Sequence, residues 1–485
     1  MPASISSRRL VVAAVSAILG LAAALRFVQL GHDSVWVDEA FSARVANLGL
    51  TDLVQTATSE DTNPPLYYVL LHGWINVFGD SETALRSLSA VVGVLLVFVV
   101  FKLGDQLSSA RAGLLAAFFA AVSEFLVHYS QEARVYSLLG LLSACSYYFL
   151  LEILDELRPW RIAWYVLATT ALLYAHTYGL FVLAAQVTFV AVGLLWRPEW
   201  IRVDPRRLGL ALAAPLVLAI PWFIVFTGHV RDEINGGSEA KLSWLAKPSL
   251  RDLPGTLSGY AGSRAALLVA LLALSVAAYL AVKESGARAV LSRLGRDRRV
   301  SLLVLWAAIP VVVPFVLSLF VTPIYQFKYT IPAAVACYLL LALALEAVAP
   351  RVGLAAGAIV AAAFLVMTVR YYAEYETEGW RQAATYLSVR AAPGDTIVFD
   401  SSVGKDAFDY YWRRSDVQEV LGSQLEAPTQ ANLAAVRTAS RSPGEVWLVV
   451  SHSRDAEGLI PAILDQSRTQ GEEADFVGIR VTPYD

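Results

Sequence analysis

In the stretch "VWVDEAFSARVA", Val35 to Ala46, two adjacent carboxylates, Asp38 and Glu39, stand between aromatic and aliphatic neighbours just after the first long apolar run. If a helix begins at Val37, adjacent side chains point about 100° apart, so one carboxylate can face a cavity while the other bonds to the chain. An acid against an apolar, partly dry cavity gains proton affinity, which suits a general base or a metal ligand. Capping of a helical first turn is the competing use of the same two residues.

Three further stretches carry charge or polarity where apolar runs meet loops. "HYSQEARVYSLL" offers Gln131, Glu132, Arg134 and Tyr136, a set of donors around a guanidinium that suits a lipid-linked phosphate. An interfacial hairpin with a Glu-to-Arg pair would read the same way. "YQFKYTIPA" offers Tyr325 and Lys328, the lysine either a point charge for phosphate or a side chain snorkelling into headgroups. "YAHTYGL" places His176 between two apolar runs, as a metal ligand, a substrate contact or a hydrogen-bonded turn histidine. No HExxH, P-loop, GxSxG or CxxC pattern occurs.

The elements that must position these residues are membrane helices. The chain has 485 residues, 57% hydrophobic and 16% charged, with a mean hydropathy of +0.55, well outside the range of an ordinary soluble domain. Its net charge of -3 gives no basic field for nucleic acid. Cys145 and Cys337 lie inside apolar runs and read as small core residues, against a disulfide framework or a zinc site. At about 20 apolar residues per crossing, about eleven spans are expected: 10–30, 84–103, 112–128, 134–154, 161–176, 178–196, 207–227, 264–283, 300–320, 329–348 and 352–370. The first is too long for a signal-peptide core and is expected to be retained.

Arg8 and Arg9 share a side with Arg197, Arg202, Arg206 and Arg207 and with the basic loop 283–299, which makes that side cytoplasmic. The loop 31–83, the other outer loops and the C-terminal segment then face outward. Within 31–83, "NPPLYYVLLHGWINVFG" is expected to form an interfacial amphipathic helix. After Tyr372 the apolar runs shrink to strand length and alternate with helices, so the expected division is a transmembrane domain, 1–372, and a small extracytoplasmic α/β domain, 373–485. Polar residues clustered at one face speak against a transporter, whose broken helices meet near the midplane.

Taken together, "WVDEAFS", "NPPLYYVLLHGW", "SQEARVYSLL", "AHTYG" and "KYTIPA" resemble the membrane glycosyltransferases of the GT-C fold, in the family 39 group that includes relatives of protein O-mannosyltransferases and the lipid A aminoarabinose transferase. The likeness covers about residues 10–400. It implies a polytopic α-helical GT-C protein in a bacterial plasma membrane, using a polyprenyl-phosphate sugar and an outer glycan, lipid or protein acceptor. It further implies Asp38 as the catalytic acid-base residue with Glu39 beside it, and Arg134 and Lys328 as holders of the donor phosphate. Gln131, Glu132, Tyr136, His176 and Tyr325 would line the site. Mannose or an arabinose-like sugar would be the first donors to consider. Where relatives read "HPP", this chain has Asn63, Pro64 and Pro65, which removes a candidate metal ligand and leaves dependence on a divalent cation open.

Overall fold

The computed structural model describes residues 5–234, 245–424 and 427–485. Its described residues form two compact units. One comprises Met1–Val28, Gly49–Trp74 and Arg86–Ala373; the other comprises Gln29–Leu48, Ile75–Leu85 and Glu374–Asp485. The segment 31–83 is therefore divided between them.

The first unit is a multi-pass membrane bundle. Eight of its described helices are long and apolar enough to cross a bilayer: Arg8–Phe27, Glu82–Leu107, Tyr136–Asp155, Gly179–Trp196, Arg264–Ser285, Arg298–Phe320, Phe327–Glu346 and Pro350–Glu374. A ninth span results if Pro205–Leu218 and Ile220–Gly228, bent by 52°, count as one; Pro215 and Pro221 flank the break and account for the bend. The two other expected spans are helical but short. Ser123 ends Ala110–Val122 and caps Glu124–His128 through its hydroxyl, and Pro159–Ala175 has 17 residues. The helix ends follow local chemistry: Ser109, Asp204, Ser263 and Asp297 each accept main-chain N–H groups at a helix start.

Close packing and buried polar pairs hold the bundle. A Cβ on Gly104 would stand 2.6 Å from the Cα of Gly113, so the helices Glu82–Leu107 and Ala110–Val122 touch backbone to backbone, as small residues permit in membranes. Tyr165 donates to Gln186 at 2.8 Å, Gln186 donates to Ser146 at 2.8 Å, and Ser146 meets Thr169 at 2.7 Å, which ties three neighbouring helices together. Arg26 is fully buried near the end of the first helix. It donates to Ser130 and to the carbonyls of Ala22, Ala120 and Ala121 at 3.1–3.2 Å. A charge at that depth is costly unless every donor is used, and its consequence is to lock the loop after His128 onto the first helix.

The second unit is built on a five-stranded sheet in the order β2-β1-β3-β5-β4, with β1 at Thr396–Phe399, β2 at Gln418–Leu421, β3 at Val446–Val450, β4 at Ala474–Phe476 and β5 at Ile479–Tyr484. Strand β1 runs parallel to β2 and β3, and β5 returns antiparallel to β3. One face is closed by the helices Gln430–Ala439 and Leu459–Asp465, whose Leu433, Val436, Ile460 and Leu464 pack on Val398 and Leu448. Trp380, Ala383 and Leu387 of the helix Trp380–Arg390 are also buried. Strands β1 and β3 are apolar runs legible in the sequence, and the third such run, 476–481, crosses the turn between β4 and β5. β2 and β4 are short, partly exposed edge strands, too polar to register as strands by pattern.

Candidate functional site

The helix Val37–Ala46 begins where the sequence places it. Its two carboxylates have separate environments. Glu39 is fully buried, and one of its oxygens accepts the main-chain N–H of Trp36 at 3.4 Å, so it closes the helix start. Asp38 is half-buried, and its main-chain carbonyl accepts the Ser42 hydroxyl at 3.0 Å.

This helix is fastened within the second unit by three anchors. Tyr411 accepts the N–H of Val35 at 2.7 Å and donates to Glu82. Arg44 pairs with Asp406 at 2.9 Å. Arg381 donates to the carbonyls of Gly31, His32 and Asp33, each at 3.1 Å, and pairs with Glu82 at 2.6 Å. At the end of β3, His452 has a left-handed backbone, φ 51°, a conformation that costs a non-glycine residue about a kcal/mol or more. Its Nε2 lies 3.1 Å from Glu378. The hydrogen bond to Glu378 raises the imidazole's proton affinity most, burial opposes it, and the nearby charge of Asp38 adds to it. The charge of Asp38 thus reaches His452, a residue that sequence reading did not identify.

In the membrane unit, the remaining candidates fall into three groups. The first is a charged cluster. Arg134, with 8% of its side chain exposed, lies 3.7 Å from Asp61 and donates to the Tyr68 hydroxyl at 3.1 Å, while Tyr68 bonds to the same Asp61. Asp61 and Tyr68 were not singled out in the sequence, although both adjoin the Asn63-Pro64-Pro65 motif. Glu132 pairs with His128 at 3.0 Å, and its second oxygen is buried with no hydrogen-bond partner.

The second group is aromatic and basic. Lys328 sits in the short turn Phe327–Thr330 with its ammonium 5.1 Å from the ring centre of Tyr136 and 6.0 Å from that of Tyr329. Tyr329 in turn lies 6.1 Å from Tyr136 and 4.6 Å from His176. These distances are in the range of cation–π and aromatic pairing. His176 caps the helix Pro159–Ala175 and is 1% exposed. Tyr136, Tyr329, His176 and Lys328 therefore share one neighbourhood, and the charges of Arg134 and Lys328 both act on the His176 ring.

The third group serves the scaffold. Gln131 donates to the carbonyls of Arg26 and Val28, at 3.2 and 2.7 Å. Tyr325 turns to Thr256. No group of three or more His, Cys, Asp or Glu among the described residues could hold a metal ion.

The comparisons with known proteins agree with this architecture. Residues 62–224 match the family model described as dolichyl-phosphate-mannose-protein mannosyltransferase. ArnT from Cupriavidus metallidurans in the apo state aligns with a TM-score of 0.63 and 13% identity over 99% of this chain and 98% of that one. The chain has the GT-C fold. The same enzyme bound to undecaprenyl phosphate gives a TM-score of 0.61 with 14% identity, again over 99% and 98%. Another GT-C match is the apo oligosaccharyltransferase of Archaeoglobus fulgidus, with a TM-score of 0.55 and 13% identity over 90% of this chain and 69% of that one. No curated protein sequence matches.

Proposed function

We propose that this chain is an inverting glycosyltransferase of the bacterial plasma membrane that moves a sugar, mannose or arabinose-like, from polyprenyl phosphate to an extracytoplasmic glycan, lipid or protein. The observation that carries this reading is the cluster of Arg134 and Lys328 with Tyr136, Tyr329 and His176 in a GT-C bundle. Cations in a largely dry setting interact with phosphate far more strongly than in water. The isoprenoid tail of such a donor is at home in lipid. The basic loops support a reading with the N-terminus cytoplasmic and the C-terminal unit outside.

In this reading Asp38 is the general base. An acceptor hydroxyl loses its proton to the Asp38 carboxylate as its oxygen bonds to the anomeric carbon. The bond from that carbon to the phosphate oxygen breaks, and the polyprenyl phosphate leaves with the electron pair while Arg134 and Lys328 offset its charge. Attack opposite the leaving group inverts the anomeric centre. Glu39 holds the helix start that presents Asp38, and Gln131 holds the loop that presents Arg134. Glu132 lines the site, and Tyr325 secures the segment before Lys328 to Thr256.

The test is sugar transfer by the purified full chain, with a panel of polyprenyl-phosphate sugars and acceptors from membrane extracts. Turnover of one donor should fall by about 100-fold or more in Asp38→Asn, with polyprenyl-phosphate binding retained. Full turnover in Asp38→Asn would remove Asp38 as the base. Neither transfer nor donor hydrolysis with any sugar, together with phosphate binding unchanged in Arg134→Ala, would overturn the transferase reading itself.

A further inference from the structure

His176 has an unusual hydrogen-bonding state for a buried histidine. Its Nδ1 accepts the main-chain N–H of Tyr178 at 3.0 Å. An atom that accepts from an N–H carries no proton of its own, so the neutral ring must carry its proton on Nε2. That Nε2 is buried and has no hydrogen-bond partner. Tyr329 and Tyr178 lie against the ring at 4.6 and 5.6 Å, and both ring nitrogens are therefore fixed in direction. The arrangement leaves one oriented N–H donor without an acceptor, and an unmet buried donor of this kind calls for an explanation.

The surroundings identify the missing acceptor. Two positive charges, Arg134 and Lys328, act on the ring. Lys328 is held 5.1 Å from the centre of the Tyr136 ring and 6.0 Å from that of Tyr329, the residue whose ring lies tilted against His176. A neutral acceptor would satisfy the N–H alone. An anionic oxygen would satisfy it and be stabilised by both cations as well. A phosphate ester offers several acceptor oxygens around one centre, so it can accept from the N–H and meet cations at the same time.

We propose that His176 donates a hydrogen bond from Nε2 to an oxygen of the donor's phosphate, as an uncharged third ligand beside Arg134 and Lys328. The inference rests on the phosphate-binding role given above to those two residues. Tyr178 thereby acts as a positioning residue, since its N–H fixes the tautomer that makes His176 a donor. The reason for a histidine at this position is then its shape: a rigid ring that can take a main-chain proton on one side and give its own on the other.

The experiment measures binding of undecaprenyl phosphate, without sugar, to the full chain in lipid nanodiscs, together with the 31P shift of the bound lipid. The proteins are wild type, His176→Phe, His176→Gln and Arg134→Ala. A hydrogen bond to a charged group lost from a buried site should weaken binding by about tenfold or more in His176→Phe, with a changed 31P shift. His176→Gln, whose amide N–H can reach the position of Nε2, should recover affinity to within roughly threefold of wild type, because it restores the hydrogen bond. Wild-type affinity in His176→Phe alongside weakened binding in Arg134→Ala would overturn the proposal and leave the phosphate site standing. Equal losses in the Gln and Phe variants would overturn it too, since that pattern marks a packing role. Undiminished binding in both Arg134→Ala and His176→Phe would overturn the phosphate reading beneath it.

Discussion

Replacing Arg381 by alanine should loosen the segment that carries Asp38 without touching the membrane unit. Arg381 is the anchor with the most bonds: three main-chain carbonyls at 3.1 Å and the Glu82 carboxylate at 2.6 Å. A buried hydrogen bond to a charged group is worth about 1.5–3 kcal/mol, and an exposed ion pair about 0–1 kcal/mol. The Arg381 side chain is 36% exposed and Glu82 19%, so water can replace part of what is lost. A cost of about 2–3 kcal/mol for the whole set follows, which is roughly a 30- to 160-fold increase in local opening. Amide hydrogen exchange of residues 31–46 in the full chain reads this directly. Arg381→Ala should accelerate exchange there by that factor, and Arg381→Lys should be intermediate, because a lysine can meet Glu82 but cannot span three carbonyls. Sugar transfer should fall in parallel while polyprenyl-phosphate binding is retained. Unchanged protection of 31–46 in Arg381→Ala would refute the reasoning, since the anchoring would then lie elsewhere.

The two adjacent carboxylates should separate in their effects: Glu39→Gln should lower stability by about 1 kcal/mol in thermal unfolding and retain most of the transfer activity, whereas Asp38→Asn should abolish transfer at nearly unchanged stability. The His452 and Glu378 pair gives a pH dependence whose sign is set by the raised affinity of the imidazole for its proton. The folded state holds that proton more tightly than the unfolded chain, so the stabilisation is complete below the ordinary histidine value of 6.5 and is lost as pH rises through the higher folded value. With His452 40% exposed and Glu378 21%, the effect should be under about 1 kcal/mol. Glu378→Gln should flatten the slope of stability against pH between about 6 and 8.

Much of the fold was legible because membrane helices announce themselves by length and apolarity, and each of the eleven expected segments is helical. The helix starting at Val37 was visible from its acidic first turn, and the interfacial segment proved helical over Leu66–Phe78. What composition could not show is the break at Ser123, where a single hydroxyl ends one helix and caps the next inside an otherwise continuous apolar run. Long-range pairing was equally hidden. Asp61 reads as a loop acid until Arg134 and Tyr68 are seen beside it, and nothing near His452 in the chain points to Asp38, which lies on the far side of the membrane helices in sequence order. Charge partners that distant in sequence leave no local periodicity to detect.

The division of the segment 31–83 gives these observations a common physical logic. Residues 29–48 belong to the C-terminal unit, and residues 49–74, with Asp61 and Tyr68, belong to the membrane bundle. A general base must be held to a fraction of an ångström, which a loop alone does not achieve. Here the helix of Asp38 is tied by Tyr411, Arg44 and Arg381 to a sheet-based unit with its own apolar core. The phosphate-binding candidates are tied instead to the bundle, through Arg26, Gln131 and Asp61. In the proposed reading, the α/β unit serves as the rigid body that holds the helix of Asp38, through Tyr411, Arg44 and Arg381.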